Sequence, residues 1–244
     1  MIELPQPQRI ADWFRPERPG PLIGPHVLQT GHGRIRADRP DAPRAVLVET
    51  GGDNFDLSGD PSAFRPGGPL RGIFRADQAF EAVLRDHSTE LHRWPRVIYE
   101  LQAPARDVVP VEAEVRRLVP ADARALDALS PETHWITETW AGPPGAAAGG
   151  LAFGAFVDGA LASVAIPFYV GERYEDIGVI TEEPHRARGL SAACANAVVK
   201  DVLSRGRRPT WSTSPDNIAS RRVAAKLGFR FVRSDLLYLV GRSI

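Results

Sequence analysis

The sequence predicts an α/β protein in two parts, an N-terminal α/β subdomain over residues 1–108 and a larger domain over residues 109–244. Three observations carry that prediction. An apolar strand, Ile177–Thr181, runs through the turn Arg186-Ala187-Arg188-Gly189-Leu190-Ser191 into a helix of small residues. Asp158-Gly159 stands between two apolar runs, Leu151–Val157 and Ala160–Phe168, a strong local signal for a hairpin. A second helix follows, with Ser214 at its N-cap, Pro215 in its first turn and Gly228 just past its end.

The remaining elements follow in chain order. Prolines at 5, 7, 16, 19, 21 and 25 exclude a long helix at the start. Strands are expected at His26–Ala37 and Ala45–Thr50, joined by the turn Arg39–Pro43, then a Gly-, Asp- and Pro-rich loop from Gly51 to Gly68. A helix over Ala79–His87 places Phe80, Val83 and Leu84 on one face, and a strand at Arg96–Leu101 precedes a linker, Gln102–Asp107. The domain boundary falls near residues 105–111. Beyond it come a strand at Ala113–Val119 and a helix at Ala121–Leu129 opened by Pro120. A loop follows with His134, Trp135 and Trp140. Pro209–Thr213, Phe229–Val232 and Leu236–Val240 complete the strands.

Composition excludes several classes. The 244 residues carry no net charge, so no global field favours nucleic acid or an anionic membrane. Of 30 basic residues only Lys200 and Lys226 are lysines, a bias typical of a GC-rich bacterial genome. The single cysteine, Cys194, lies on the stripe Leu190, Cys194, Val198, Val202 and reads as a core thiol; it excludes an internal disulfide and a cysteine zinc site. No pair of histidines has metal-ligand spacing, so no metal is expected. Without a leader-like N-terminus or a bilayer-spanning apolar run, the expected location is the cytoplasm.

A strand that ends in a glycine turn at a helix start is an anion cradle. The first helical N–H groups lack intrahelical partners, and the helix dipole places partial positive charge there. Gly189 permits positive φ and close approach, while Ser191 and Ala192 leave room for a phosphate.

The same turn, together with Asn217, Ser220, Val223, Lys226, Gly228 and Phe229 downstream, resembles the two signatures of the GNAT superfamily of N-acetyltransferases. The likeness covers roughly residues 112–244 and is strongest to two-domain bacterial members of the zwittermicin A resistance type. It implies a mixed central sheet flanked by helices, with acetyl-CoA as co-substrate. Val179, Ile180 and Thr181 would pair with the pantetheine arm. Arg186, Ala187, Arg188, Gly189, Leu190, Ser191 and Ala192 would cradle the pyrophosphate, and Asn217 and Ser220 would contact the arm.

Alternation places Glu175 on one face of its strand with Ile177, Val179 and Thr181, and the resemblance makes Glu175 the candidate base, with Asp176 the alternative. Many GNATs carry a general-acid tyrosine where Ala224 stands, which leaves Tyr238 as the candidate hydroxyl or an unaided thiolate. His134, Trp135 and Trp140 fall in the acceptor-covering segment. The implied activity is direct acetylation of a small-molecule amine. The alternatives are a non-catalytic CoA-binding regulatory module and an acetylase of a protein or RNA amine, RNA being disfavoured by the zero net charge.

Overall fold

The computed structural model describes residues 1–102, 108 and 112–242. The first half contributes β1 (Ile2–Glu3), α1 (Ile23–Thr30), β2 (Arg34–Ala37), β3 (Ala45–Thr50), β4 (Asn54–Gly59), β5 (Gly72–Ala76), α2 (Glu81–Asp86) and β6 (Leu91–Leu101). The second contributes β7 (Glu114–Arg117), α3 (Ala123–Asp127), α4 (Pro143–Ala148), β8 (Phe153–Val157), β9 (Ala160–Val170), β10 (Tyr174–Thr181), α5 (Leu190–Ser204), β11 (Arg208–Thr213), α6 (Ile218–Leu227) and β12 (Phe229–Val240). A 3-10 segment, Pro131–Trp140, carries the aromatic loop.

Among the described residues all strands join one sheet, in the order β1-β2-β3-β4-β5-β12-β6-β11-β10-β9-β8-β7. It is mixed, as expected: β10/β11 and β4/β5 run parallel and the other neighbours antiparallel. The central position belongs to β6. It pairs with β12 from Leu91 to Leu101 and with β11 from Val97 to Glu100. A strand from the first half therefore lies between two strands of the second. The expected boundary near 105–111 does not separate two sheets, and most of the linker 102–107 lies outside the described residues.

The cores are shared in the same way. α5 and α6 cover one face, where Cys194, Val198, Val202, Ala224 and Trp211 pack with Tyr99 and Leu101 of β6. Tyr169 and Tyr174 pack with Ile23 and Val27 of α1, and Tyr238 and Val240 with Phe74 and Phe80 of the first half. His26 joins the halves by hydrogen bonds. Its Nε2 lies 2.8 Å from the Thr139 carbonyl, and its Nδ1 accepts the Val170 N–H at 3.2 Å. Those partners assign the neutral Nε2–H tautomer, and burial pushes the imidazole pKa down to about 4.

Several expected elements are corrected. His26–Ala37 is not one strand, since its first part belongs to α1 and only Arg34–Ala37 is extended. Pro25 is the third residue of that helix, where its missing N–H costs nothing, and Gly31 ends it at φ 73°. The loop expected from Gly51 to Gly68 contains β4. The last helix is capped by Asn217, whose Oδ1 accepts the Ser220 N–H at 3.0 Å, rather than by Ser214. The two final strands are one, with an irregularity between Phe231 and Arg233. The hairpin forms as expected, with Asp158 and Gly159 both at positive φ.

A fragment beginning at Val109 lacks β6, so β11 and β12 lose their common neighbour. It is expected to give no cooperative thermal transition by circular dichroism, whereas the full chain does; a fragment that melts cooperatively would show that β6 is dispensable.

Candidate active site

β10 meets α5 through a short 3-10 turn, Glu183–His185, followed by exposed Arg186, Ala187 and Arg188. Ala187 lies at φ 62° and Gly189, the N-cap of α5, at φ 81°. This left-handed pair turns the chain so that the first N–H groups of α5 open toward the end of β10, the arrangement of an anion cradle. Arg186 donates from Nε to the Thr181 carbonyl at 3.3 Å, and Arg188 lies 3.2 Å from His185 Nδ1. Among the described residues neither guanidinium pairs with a carboxylate, and both sit exposed at the mouth of the turn.

The second feature is a ladder that stops. β10 and β11 pair only at Tyr174/Arg208, Glu175/Pro209 and Asp176/Thr210. Beyond that point β10 continues to Thr181 held only by β9, and β11 to Thr213 held only by β6. The two parallel strands part, and among the described residues the facing edge of β10 over residues 177–181 has no strand on it. Asp176 sits at the apex.

The faces of β10 differ chemically. Glu175, Ile177 and Val179 point toward α5, and Asp176, Gly178 and Ile180 to the other side. Thr210 and Ser212 share the Asp176 face, and both hydroxyls donate to its Oδ1 at 2.9 Å. Oδ2 has no hydrogen-bond partner among the described residues. Burial raises the Asp176 carboxyl pKa to about 6, opposed by those two hydroxyls and the charges of Arg96 and Arg233. Over Gly178 lies Trp135, 39% exposed, with its ring edge-on to Phe168 at 5.4 Å. A Cβ at 178 would come within 3.0–3.3 Å of Ile136, Phe168 and Trp135, so glycine is needed there for the loop to seat. Tyr169, paired with Asp176 across the ladder, donates to Asn54 Oδ1 of β4 at 3.2 Å, so the first half reaches this face.

The GNAT acetyltransferase family model matches residues 23–238, nearly the whole described chain. The chain belongs to this family. It is 38% identical over 221 residues to a Streptomyces virginiae protein described as an uncharacterized N-acetyltransferase in the mutA 5' region, covering 84% of this chain and 90% of that one. In fold it is similar to a GCN5-related N-acetyltransferase-like protein from Streptococcus suis, with TM-score 0.74 at 20% identity, covering 96% and 98% of the two chains. A putative GNAT-family acetyltransferase from Novosphingobium aromaticivorans aligns at TM-score 0.60 and 18% identity over 91% and 97%. The protein is thus an acyltransferase of the GNAT type. The family match begins at residue 23, well before the segment that carries the signatures, in keeping with a first half built into the same sheet.

Within this GNAT frame the expected residues divide. Gly189, Leu190, Ser191 and Ala192 form the start of α5 beside Arg186, Ala187 and Arg188, at the end of the strand carrying Val179, Ile180 and Thr181. Ser220 accepts the Trp211 indole N–H at 2.9 Å, and Asn217 uses Oδ1 as helix cap, leaving its amide NH2 on an exposed residue. Trp140 is core rather than pocket wall: it is 4% exposed, its indole donates to the Pro167 carbonyl at 2.9 Å, and it packs against His26. His134 Nε2 lies 2.6 Å from the Leu129 carbonyl. Of the three loop residues, Trp135 is the one set directly against Gly178 of β10, next but one to Asp176.

The two catalytic candidates are placed elsewhere. Glu175 is fully buried beneath α5, where Arg205 donates to both carboxylate oxygens and Arg207 to Oε1 at 2.8 Å. Both of its oxygens are engaged by guanidinium groups under the helix, away from the gap between β10 and β11. Tyr238 is fully buried among Phe74, Phe80 and Leu84 of the first half, with its hydroxyl 3.5 Å from Glu81. Ala224, in the usual tyrosine slot, is also fully buried in the α5/α6 core, so that slot faces packing rather than the gap. Cys194 is a core thiol as expected, with its pKa pushed up to about 12 by burial. Among the described residues no cluster could hold a metal, and no helix is long and apolar enough to cross a membrane.

The sequence reading missed the Asp176, Thr210, Ser212 constellation as a unit. The signal was the polar alternation Thr210-x-Ser212 about the buried Trp211. Glu175→Gln is expected to lower stability by about 3–5 kcal/mol, because it removes the charge that compensates two part-buried guanidinium groups. Thermal denaturation should show that loss, while kcat/KM measured well below the melting temperature stays within about threefold. A large fall in turnover by a fully folded variant would return Glu175 to the chemistry.

Proposed function

We propose that the protein is an acetyl-CoA-dependent N-acetyltransferase acting directly on the amine of a small molecule, with Asp176 as the base. The observation that carries this reading is the open ladder between β10 and β11, with Asp176 at its apex and the α5 cradle at its mouth. Acetyl-CoA, when bound, supplies the activated acyl carbon: the amine nitrogen forms the new C–N bond, the C–S bond breaks and the thiolate departs. The chain's own residues do the rest. The unpaired edge of β10 over Val179–Thr181 offers backbone groups to the pantetheine arm, and one N–H there could polarise the thioester oxygen, a contact worth about 3 kcal/mol. The first turn of α5 with Arg186 and Arg188 fits a pyrophosphate, and the exposed amide NH2 of Asn217 is free to reach the arm.

A lysine-like amine, with a pKa of about 10.4, arrives protonated and must lose a proton. Asp176 is suited to accept it. Its Oδ1 is anchored by Thr210 and Ser212, its Oδ2 is unpartnered, and burial sets its pKa near 6, close enough to neutrality for base catalysis. With Ala224 and Tyr238 both buried, no hydroxyl is assigned to the thiolate; a thiol pKa of about 8.5 allows it to leave unaided. That missing acid is also what favours the second reading, a non-catalytic CoA-binding module.

Two experiments test the proposal. Acetyl-CoA at 100 times its dissociation constant should stabilise the fold by about 2.7 kcal/mol, and Gly189→Asp should abolish that shift. No shift at millimolar coenzyme, or a shift unchanged by Gly189→Asp, would place the phosphates elsewhere. Asp176→Asn should cut kcat/KM by about 10²–10⁴ with coenzyme affinity retained. In the wild type, kcat/KM should rise with pH through an apparent pKa near 6 as Asp176 loses its proton, and the variant should lack that limb. Tight coenzyme binding with no thiol release from any amine would instead favour the binding module.

A further inference from the structure

On the Asp176 face of the sheet, Arg96 has no carboxylate in contact with it among the described residues. Arg96 of β6 alternates with Ile98 and Glu100, and Ile98 pairs with Ser212, so Arg96 lies on the side where Thr210 and Ser212 hold Asp176. Its Nη2 donates to the Ser212 carbonyl at 3.2 Å. Its Nε is shut off from solvent and has no hydrogen-bond partner among the described residues. Its guanidinium lies 4.2 Å over the Trp94 ring. It forms no ion pair with a carboxylate among the described residues. The neighbouring guanidinium groups are treated differently: Arg75 binds Asp56 at 2.8 Å, and Arg233 binds Asp235 at 2.6 Å. Burial lowers the Arg96 pKa, and the charges of Asp176 and Asp216 only partly offset that.

An arginine largely removed from water, with part of its donor fork unused, is costly unless an anion completes it. Asp176 cannot do so while its Oδ1 is committed to two hydroxyls and its Oδ2 is reserved for the incoming ammonium. We propose that Arg96 receives a carboxylate carried by the acceptor, so that the acceptor is a zwitterionic, amino-acid-like amine with its ammonium at Asp176 and its carboxylate at Arg96. This rests on the acetyl-transfer reading and narrows it. The charges pair one for one: the acceptor's ammonium offsets Asp176 and its carboxylate offsets Arg96. The planar fork of arginine matches a carboxylate in a bidentate contact, and Trp94 beneath it holds the plane.

The test is steady-state thiol release from acetyl-CoA with matched amines that differ only in the carboxylate: ornithine and putrescine, lysine and cadaverine, tyrosine and tyramine. The carboxylated member of at least one pair should have the higher kcat/KM, by about 10-fold or more. Arg96→Gln should raise its KM by about 10- to 100-fold while changing the decarboxylated partner by less than about threefold, and Arg96→Lys should recover part of the loss. Stabilisation of each variant by acetyl-CoA checks that it is folded. Equal or better turnover of the decarboxylated members, or an equal loss for both members in Arg96→Gln, overturns the assignment of Arg96 and leaves acetyl transfer standing. If no amine releases thiol, the acetyl-transfer reading falls, and calorimetry of the same pairs against CoA-saturated protein decides the Arg96 site: binding of a carboxylated member that Arg96→Gln removes supports it, and no such binding overturns it.

Discussion

The site depends on a hydrogen-bond ladder that ends too soon. β10 and β11 are bonded for three residues and then held apart, because each is gripped from its outer side: β10 by β9 and β11 by β6. A free strand edge inside a sheet would ordinarily close or recruit another strand, since buried backbone groups seek partners. Here the outer ladders fix the strands and keep the gap. On the β10 side, β9 changes register where Asp176 pairs with Tyr169 and Ile177 with Pro167, so Phe168 is the extra residue. That irregularity puts Phe168 against Trp135 just where the gap opens. On the β11 side the grip comes from the first half of the chain. The signatures lie in the second half, but the geometry they need is held by β6.

Adjacent acids show how the faces of one strand divide labour. Glu175 and Asp176 differ by one position and point to opposite faces. Glu175 meets two guanidinium groups beneath the C-terminal end of α5 and closes the bottom of the parallel pair. Asp176 meets only hydroxyls, and burial dominates its proton affinity. The difference is one of partners, not of residue type, and it is why we propose Asp176 as the base in place of the Glu175 that strand alternation and family likeness suggest.

Legibility in the sequence followed local physics. The glycine turn, the Asp158-Gly159 hairpin and the small-residue helix α5 were readable because each is fixed by residues close in sequence. The centre of the sheet was not. The strand expected at Arg96–Leu101 extends back through Pro95 to Leu91, where the ladder with β12 begins. β4 hides because its inward positions are polar: Asn54 and Asp56 are buried, and Arg75 of the neighbouring strand neutralises Asp56. Glu175 and Tyr238 were misplaced for the same reason, since Arg205, Arg207 and the first-half core that enclose them come from distant segments. The Asp176 cluster spans two parallel strands linked through α5, so only tertiary structure could assemble it.

The protonation of Asp176 has a thermodynamic direction that bears on its role. The unfolded chain loses this proton near 3.8 and the folded chain near 6, so between those values the folded state binds more protons. Stability contributed by the protonated form is therefore present below about pH 4 and is lost as pH rises through 6. At neutral pH the fold carries a buried negative charge that Thr210 and Ser212 stabilise only in part. His26 runs the opposite way: its pKa is lowered to about 4, so its contribution is complete above 6.5 and is lost as pH falls through the same region. The imidazole behaves as a structural group whose neutral form suits its partners. The carboxylate is held against the preference of its surroundings where two strands part, and a raised pKa of that origin is consistent with the base role we propose for it.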